Sequence, residues 1–150
     1  WVTFERTWAR AGHWGLVILE PGELPATADA AQVLAAVAPF EEKAQWTVAE
    51  AVYQRAADRW PEQAVFALGV ANSRYAHGDL RGAERAYRNV ITAFPDDPVG
   101  YNNLALVLAD LERWEEAERM VARALAIGGP LRGEFLDTQR RIEQRTPSAD

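Results

Sequence analysis

No cysteine occurs in this chain of 150 residues, so disulfides, thiolate catalysis and Cys-ligated zinc are excluded within it. Histidine is nearly as scarce. His13 and His77 stand far apart without partners, and His77, just before a turn glycine, is expected to face solvent. That leaves no Ser/His/Asp arrangement, and no glycine-rich phosphate loop is present either. Neither a metal site, a cofactor nor a catalytic centre is therefore expected in this chain. Positive charge is also short: the net charge is −6, against the basic surface that general nucleic-acid binding requires. Lys43 is the one lysine among 16 basic residues, and with abundant alanine this points to a GC-rich bacterial genome. Apolar runs are brief, none approaching the ~20 residues that span a bilayer, and no signal peptide is visible. No membrane insertion is expected, and a cytoplasmic or periplasmic location both fit. The chain begins at Trp1 instead of Met, which reads as a piece of something longer.

What is present is a folded composition, 49% hydrophobic and 25% charged, and a repeat. Ala49, Ala83 and Ala117 recur at a fixed interval of 34 residues (83 − 49 = 117 − 83). So do Tyr53, Tyr87 and Val121, then Ala56, Val90 and Ala124. Trp46, Leu80 and Trp114 form a further column, and Pro61, Pro95 and Gly129 another. A fixed period with small and large residues in fixed columns is the signature of a repeat architecture. The clearest unit runs from Ala64 to Pro98, two short helices joined at Gly78-Asp79 and ended by Pro95-Asp96-Asp97-Pro98.

Taken in order, residues 1–29 lie outside the repeat. Trp1, Phe4, Trp8 and Ala11 fall at helical spacing, with Thr3 as N-cap and Gly12 as stop. Trp14–Leu19 is an apolar run that reads as a buried strand, and Glu20–Asp29 as a linker. A lone strand needs a pairing partner. Repeats are expected over 30–63, 64–97 and 98–131. Val33, Ala36, Val37 and Phe40 form the inner face of the first, Ala67, Val70 and Ala71 that of the second, and Tyr101, Leu104, Ala105 and Leu108 that of the third. Thr47 to Glu50 has capping-box spacing, Asp79 and Asp97 are N-caps, and Pro98 suits a first helical position. Gly128-Gly129-Pro130 stops the last hairpin. Residues 132–145, with Phe135, Leu136 and Ile142, form an amphipathic cap, and 146–150 a frayed tail. Glu41-Glu42 and Glu115-Glu116 are read as solvated faces.

These columns resemble the tetratricopeptide repeat, through Ala71, Gly78, Ala83, Tyr87 and Pro95 in the second unit and their counterparts in its neighbours. The resemblance implies an all-α array of three helical hairpins plus a capping helix, preceded by a short helix–strand segment. Arg74 stands where the family has an apolar residue, with Tyr75 expected to fill the space. Leu68-Gly69 mimics a family dipeptide out of register, and Glu112 replaces a turn glycine. The family's groove is lined by the first helix of each hairpin. Carried over, this gives Leu34, Ala38 and Glu41, then Val65, Leu68, Asn72 and Tyr75, then Val99, Asn102, Asn103, Leu106 and Asp110. Asn side chains donate and accept, which suits the backbone of an extended peptide. The implied function is a protein-interaction module for a protein or peptide segment. The family's basic carboxylate-clamp positions hold Leu68, Gly133 and Asp137 here, so no such clamp is expected.

Two alternatives concern the N-terminal segment. Phe4-Glu5-Arg6-Thr7-Trp8 and Gly15–Pro21 resemble the end of bacterial papain-like peptidases that process double-glycine leaders (C39-like), whose catalytic Cys and His would lie upstream. Alternatively, Trp14–Leu19 pairs between copies and makes a homodimer.

The register makes a direct prediction. Ala83→Leu should overpack the central hairpin and cost about 1–3 kcal/mol; an unchanged denaturation midpoint would show the register to be wrong.

Overall fold

A computed structural model describes the backbone of residues 4–10, 13–19, 24 and 26–145, with side chains for 24 and 26–145. At the N-terminus β1 (Phe4–Arg10) and β2 (His13–Leu19) form an antiparallel pair in which Phe4 pairs with Leu19 and Arg10 with His13. The strand at Trp14–Leu19 is present, but the helix expected over Trp1–Ala11 is not. The hydrogen-bonding demand of the second strand outweighs the helical spacing of Phe4 and Trp8, and residues 4–10 supply the partner. The helix–strand order behind the peptidase resemblance is thus not what the chain forms. Trp1, Thr3, Ala11 and Gly12, five of the ten linker residues, and the tail expected over 146–150 lie outside the described residues.

Among the described residues seven helices follow: α1 (Ala30–Glu42), α2 (Trp46–Arg59), α3 (Ala64–Ala76), α4 (Leu80–Ala93), α5 (Pro98–Asp110), α6 (Trp114–Ile127) and α7 (Arg132–Arg145). Their starts are chemically marked. Asp29 caps α1 in a reciprocal box with Gln32, with bonds of 2.8 and 3.0 Å, a cap the sequence reading placed in the linker. Asp79 accepts from the Gly82 N–H and Asp97 from the Val99 N–H, each at 2.8 Å, with Pro98 opening α5. The box expected at Thr47–Glu50 does not form. Helix α2 already starts at Trp46, with Gln45 as an N-cap that makes no side-chain bond, so Thr47 lies inside the first turn. The early start follows from the turn, where Ala44 takes φ 52°. Gly78 (φ 89°) and Glu112 (φ 59°) occupy the same place in the next two hairpins. Glycine adopts this left-handed conformation freely, whereas Ala44 and Glu112 each carry strain of about 1 kcal/mol.

The hairpins close over the alanine column: Ala49, Ala83 and Ala117 are each 0% exposed. With no side chain beyond Cβ, these positions let paired helices approach closely. Helix α3 joins two apolar clusters. Phe66 and Val70 face the first hairpin with Val33, Val37, Phe40 and Tyr53, while Ala71 packs with Tyr87, Leu104 and Leu108. Ala67 and Tyr101, expected inside, are only half-buried. Gly69 lies under the Tyr53 ring, where an added Cβ would sit 2.4 Å from Cδ1, which accounts for the out-of-register glycine. Trp60 stacks on Phe66 at 5.4 Å between ring centroids. Helix α7 covers the end with Phe135, Thr138 and Ile142, while Leu136 stays half-exposed.

The second helices of the hairpins are joined by charge. Arg113 donates to Glu84 at 2.6 Å and to Glu116 at 2.6 and 2.8 Å, and Arg88 bridges the same two carboxylates at 3.0 and 3.2 Å. Glu116 is therefore a bracing residue and not merely part of a solvated face. Burial of Glu84 opposes its ionisation, but hydrogen bonds and charge from Arg113 and Arg88 outweigh this and hold its carboxyl below the usual glutamate range. A lowered folded-state value contributes stability above the unfolded pKa of 4.5 and loses it as pH falls through the folded value. Glu84→Gln should cost about 1 kcal/mol at pH 7 and show a smaller further loss at pH 3 than the unsubstituted chain. Urea midpoints at the two pH values check this, and equal acid losses would contradict it.

Candidate functional site

Helices α3, α5 and α7 lie side by side and are cross-linked by polar side chains. The packing that buries Phe66, Val70 and Ala71 on α3 turns Leu68, Asn72 and Tyr75 the other way. On α5 the burial of Leu104, Ala105 and Leu108 does the same for Asn103, Leu106 and Asp110. Of the residues carried over from the resemblance, Ala38, Val65, Asn72 and Asp110 are exposed, and Leu34, Glu41, Leu68, Tyr75, Val99, Asn103 and Leu106 are half-buried. Asn102 is different. It is 7% exposed, so it underlies this face instead of lining it.

The residues fall into two rows. An amide row runs from α3 to α5: Asn103 Nδ2 donates to Asn72 Oδ1 at 3.2 Å, and Asn102 Nδ2 to Asn103 Oδ1 at 3.2 Å. The Tyr87 hydroxyl, from α4 behind, also donates to Asn72 Oδ1. Burial raises the pKa of Tyr87, with the Asn103 amide opposing in part, so the hydroxyl stays protonated. Asn102 Oδ1 is buried without a hydrogen-bond partner.

The second row lies one helical turn further along. Tyr75 OH donates to Asp110 Oδ2 at 2.6 Å, and Arg145 Nη1 donates to Asp110 Oδ1 at 3.1 Å, so three helices meet at one carboxylate. Partial burial and the Asp110 hydrogen bond push the Tyr75 pKa up to about 12, the charges of Arg141 and Arg145 pulling the other way. At the α1 end, Glu41 accepts from Tyr53 OH at 3.0 Å; burial first, and Glu41 second, raise the pKa of that tyrosine. Arg74 does not fill an apolar space but pairs with Glu50 of α2 at 2.8 Å. Apolar Leu34, Val65, Leu68 and Val99 lie nearer the starts of the same helices, Val65 being 41% exposed.

Sequence reasoning put Gly133 and Asp137 of α7 at groove positions but did not single out its last turns. Arg141 and Arg145 reach this face beside Leu106 and Ala109. Their i, i+4 spacing on one side of an amphipathic helix was the available signal. Among the described residues no group of three or more His, Asp or Glu is placed to hold a metal ion, and no helix is long and apolar enough to cross a membrane.

An array of paired helices with one polar-and-apolar face formed by alternate helices defines the class. Residues 70–131 match the sequence model of the tetratricopeptide repeat. The first such domain of Spaghetti (RPAP3), bound to the HSP90 peptide SRMEEVD, superposes with TM-score 0.66 at 18% identity over 79% of this chain and 96% of that one. The TPR2B domain of yeast Sti1, in a complex with pHsp70, gives 0.69 at 16% identity over 77% and 96%. The Yersinia enterocolitica type III secretion chaperone SycD, with a peptide of the translocator YopD, gives 0.66 at 19% identity over 77% and 88%. At these identities the likeness establishes the fold: the helical part of this chain is a tetratricopeptide-type hairpin array.

The Arg145–Asp110 pair tethers the last turn of the cap. Its partners are 56% and 30% exposed, so solvent screens it. Arg145→Gln should speed amide exchange in the last turns of α7 by about two- to fivefold and leave α3 and α4 unchanged. Uniform acceleration, or none, would show that the tether is not what holds the turn.

Proposed function

We propose that this chain is a protein-interaction module that holds an extended peptide segment across the face formed by α1, α3, α5 and α7. Its units are the repeats 30–63, 64–97 and 98–131 with 132–145 as cap. One observation carries the reading. Polar groups able to hold a peptide backbone, led by Asn72 and Asn103, stand in a row beside an apolar strip of exposed Val65 and half-buried Leu68. A surface of that composition offers orientation through hydrogen bonds and affinity through apolar burial. The contact residues are Leu34, Glu41, Val65, Leu68, Asn72, Tyr75, Val99, Asn103, Leu106 and Asp110, with Asn102 supporting from beneath and Arg141 and Arg145 added from α7. Peptide or protein segments accompany the three similar structures named above, which supports the same class of ligand here. No catalytic role is assigned.

Selection from a random-peptide phage library on the purified chain tests the reading. Peptides should be enriched that bind saturably and lose about tenfold in affinity to Leu68→Asp, with helix content by circular dichroism checked to be unchanged. Absence of any enriched peptide would overturn the reading. A peptide ending in an acidic free carboxylate should not saturate, because Leu68, Gly133 and Asp137 offer it no cation; saturable binding abolished by Asn103→Ala would refute that.

A further inference from the structure

The charges on this face are Glu41, Asp110, Arg141 and Arg145, and they are not equally available to a ligand. Asp110 and Arg145 neutralise each other at 3.1 Å. Charges that border the face are also spent within the chain: Arg74 of α3 goes to Glu50 of α2, and Asp137 of α7 to Arg140 of the same helix. That leaves Glu41 and Arg141, which make no ion pair among the described residues. They stand on the two outermost helices of the face, one negative on α1 and one positive on α7.

Each is placed to act outward. Glu41 is half-buried in the last turn of α1, where its Oε1 accepts from the Tyr53 hydroxyl at 3.0 Å. That neutral donor holds the carboxylate without cancelling its charge. Glu42 and Lys43 beside it are both exposed and offset each other. Arg141 is exposed and borders Leu106 and Ala109 of α5, and its charge acts on the Tyr75 hydroxyl of α3. The other charged residues of α7, Arg132, Glu134 and Glu143, are exposed and lie outside the i, i+4 row of Asp137, Arg141 and Arg145.

Resting on the peptide-binding reading, we propose that Glu41 and Arg141 are specificity residues, and that the ligand is an extended segment with a basic side chain over α1 and an acidic side chain over α7. Three steps between neighbouring helices of about 8–10 Å each correspond to about seven to nine residues at a rise of about 3.3 Å per residue. The two charged residues of the segment stand about that far apart. Laid the other way round, the segment would meet a like charge at both ends, so the pair also fixes its polarity. The apolar strip of Leu34, Val65, Leu68 and Val99 supplies contact area and no such polarity.

The probe is a peptide enriched from the random library that needs Leu68. Such peptides should carry a Lys or Arg and an Asp or Glu about seven to nine positions apart. A copy with these two residues exchanged should bind about tenfold more weakly at low salt. In the double variant Glu41→Gln, Arg141→Gln the exchange should cost less than about twofold. The new amide at 41 can still accept from Tyr53, and unchanged helix content by circular dichroism checks the fold. On the unsubstituted chain, a nitroxide at the basic end of the peptide should broaden amide signals of α1 and spare α7. One at the acidic end should do the reverse. Enriched peptides without the paired charges, an exchange penalty that survives the double variant, or broadening of α1 from the acidic end would each overturn the proposal while leaving the interaction module standing. Failure to enrich any peptide would overturn both.

Discussion

The close approach of paired helices at the alanine column is the constraint on which the rest of the array depends. Ala49, Ala83 and Ala117 are wholly buried because a second helix lies directly over each. Anything larger would push the helices of a hairpin apart and tilt every later helix with them, since each unit packs only on its neighbours. The aromatic column depends on the same spacing. Tyr53 reaches Gly69 of the next hairpin, and Tyr87, bonded to Asn72 within its own, packs in one cluster with Leu104 and Leu108 of the next. Small residues set the distance within a unit, and tyrosines set how one unit meets the next.

From that spacing the functional face follows. Alternate helices come to lie side by side, and their outward residues form rows running across the array instead of along any one helix. Asn72 and Asn103 are far apart in sequence yet bonded at 3.2 Å. Asp110 collects a tyrosine from α3 and an arginine from α7, both at a sequence distance of 35 residues. Those separations are close to the repeat length, which is how a periodic fold turns unremarkable single residues into a connected surface.

The sequence made the repeats legible because helix packing repeats its demands at a fixed interval, and Ala83, Tyr87 and Pro95 answer them by residue type. Breaks such as Asp79, Asp97 and Gly128 were equally readable, since each acts through local backbone chemistry. The failures were of another kind. Phe4 and Trp8 fit a helix by spacing, and only pairing with a distant segment decides for a strand. Thr47 and Glu50 had capping spacing, but the left-handed Ala44 moved the helix start. The candidate surface was partly legible: the first-helix positions came with the family pattern, yet the burial of Asn102 and the reach of Arg145 depend on tertiary placement. Glu116 looked like a solvated acid because its partner Glu84 and their shared arginines come from other helices.

The network of Glu84, Arg88, Arg113 and Glu116 also divides the array into joints of different character. Between the first and second hairpins the contact includes Tyr53 over Gly69 and Trp60 on Phe66, with an ion pair from Arg74 to Glu50. Between the second and third, apolar packing is supplemented by two ion pairs on one side, Arg88 to Glu116 and Arg113 to Glu84, and by amide and tyrosine hydrogen bonds on the other. Apolar contact is indifferent to ionic strength, whereas partly exposed charges are screened within about 10 Å at 0.1 M salt. Salt and acid therefore bear more heavily on the joint that carries Asn72 and Asn103, where two ion pairs cross, than on its neighbour, where one supplements aromatic packing.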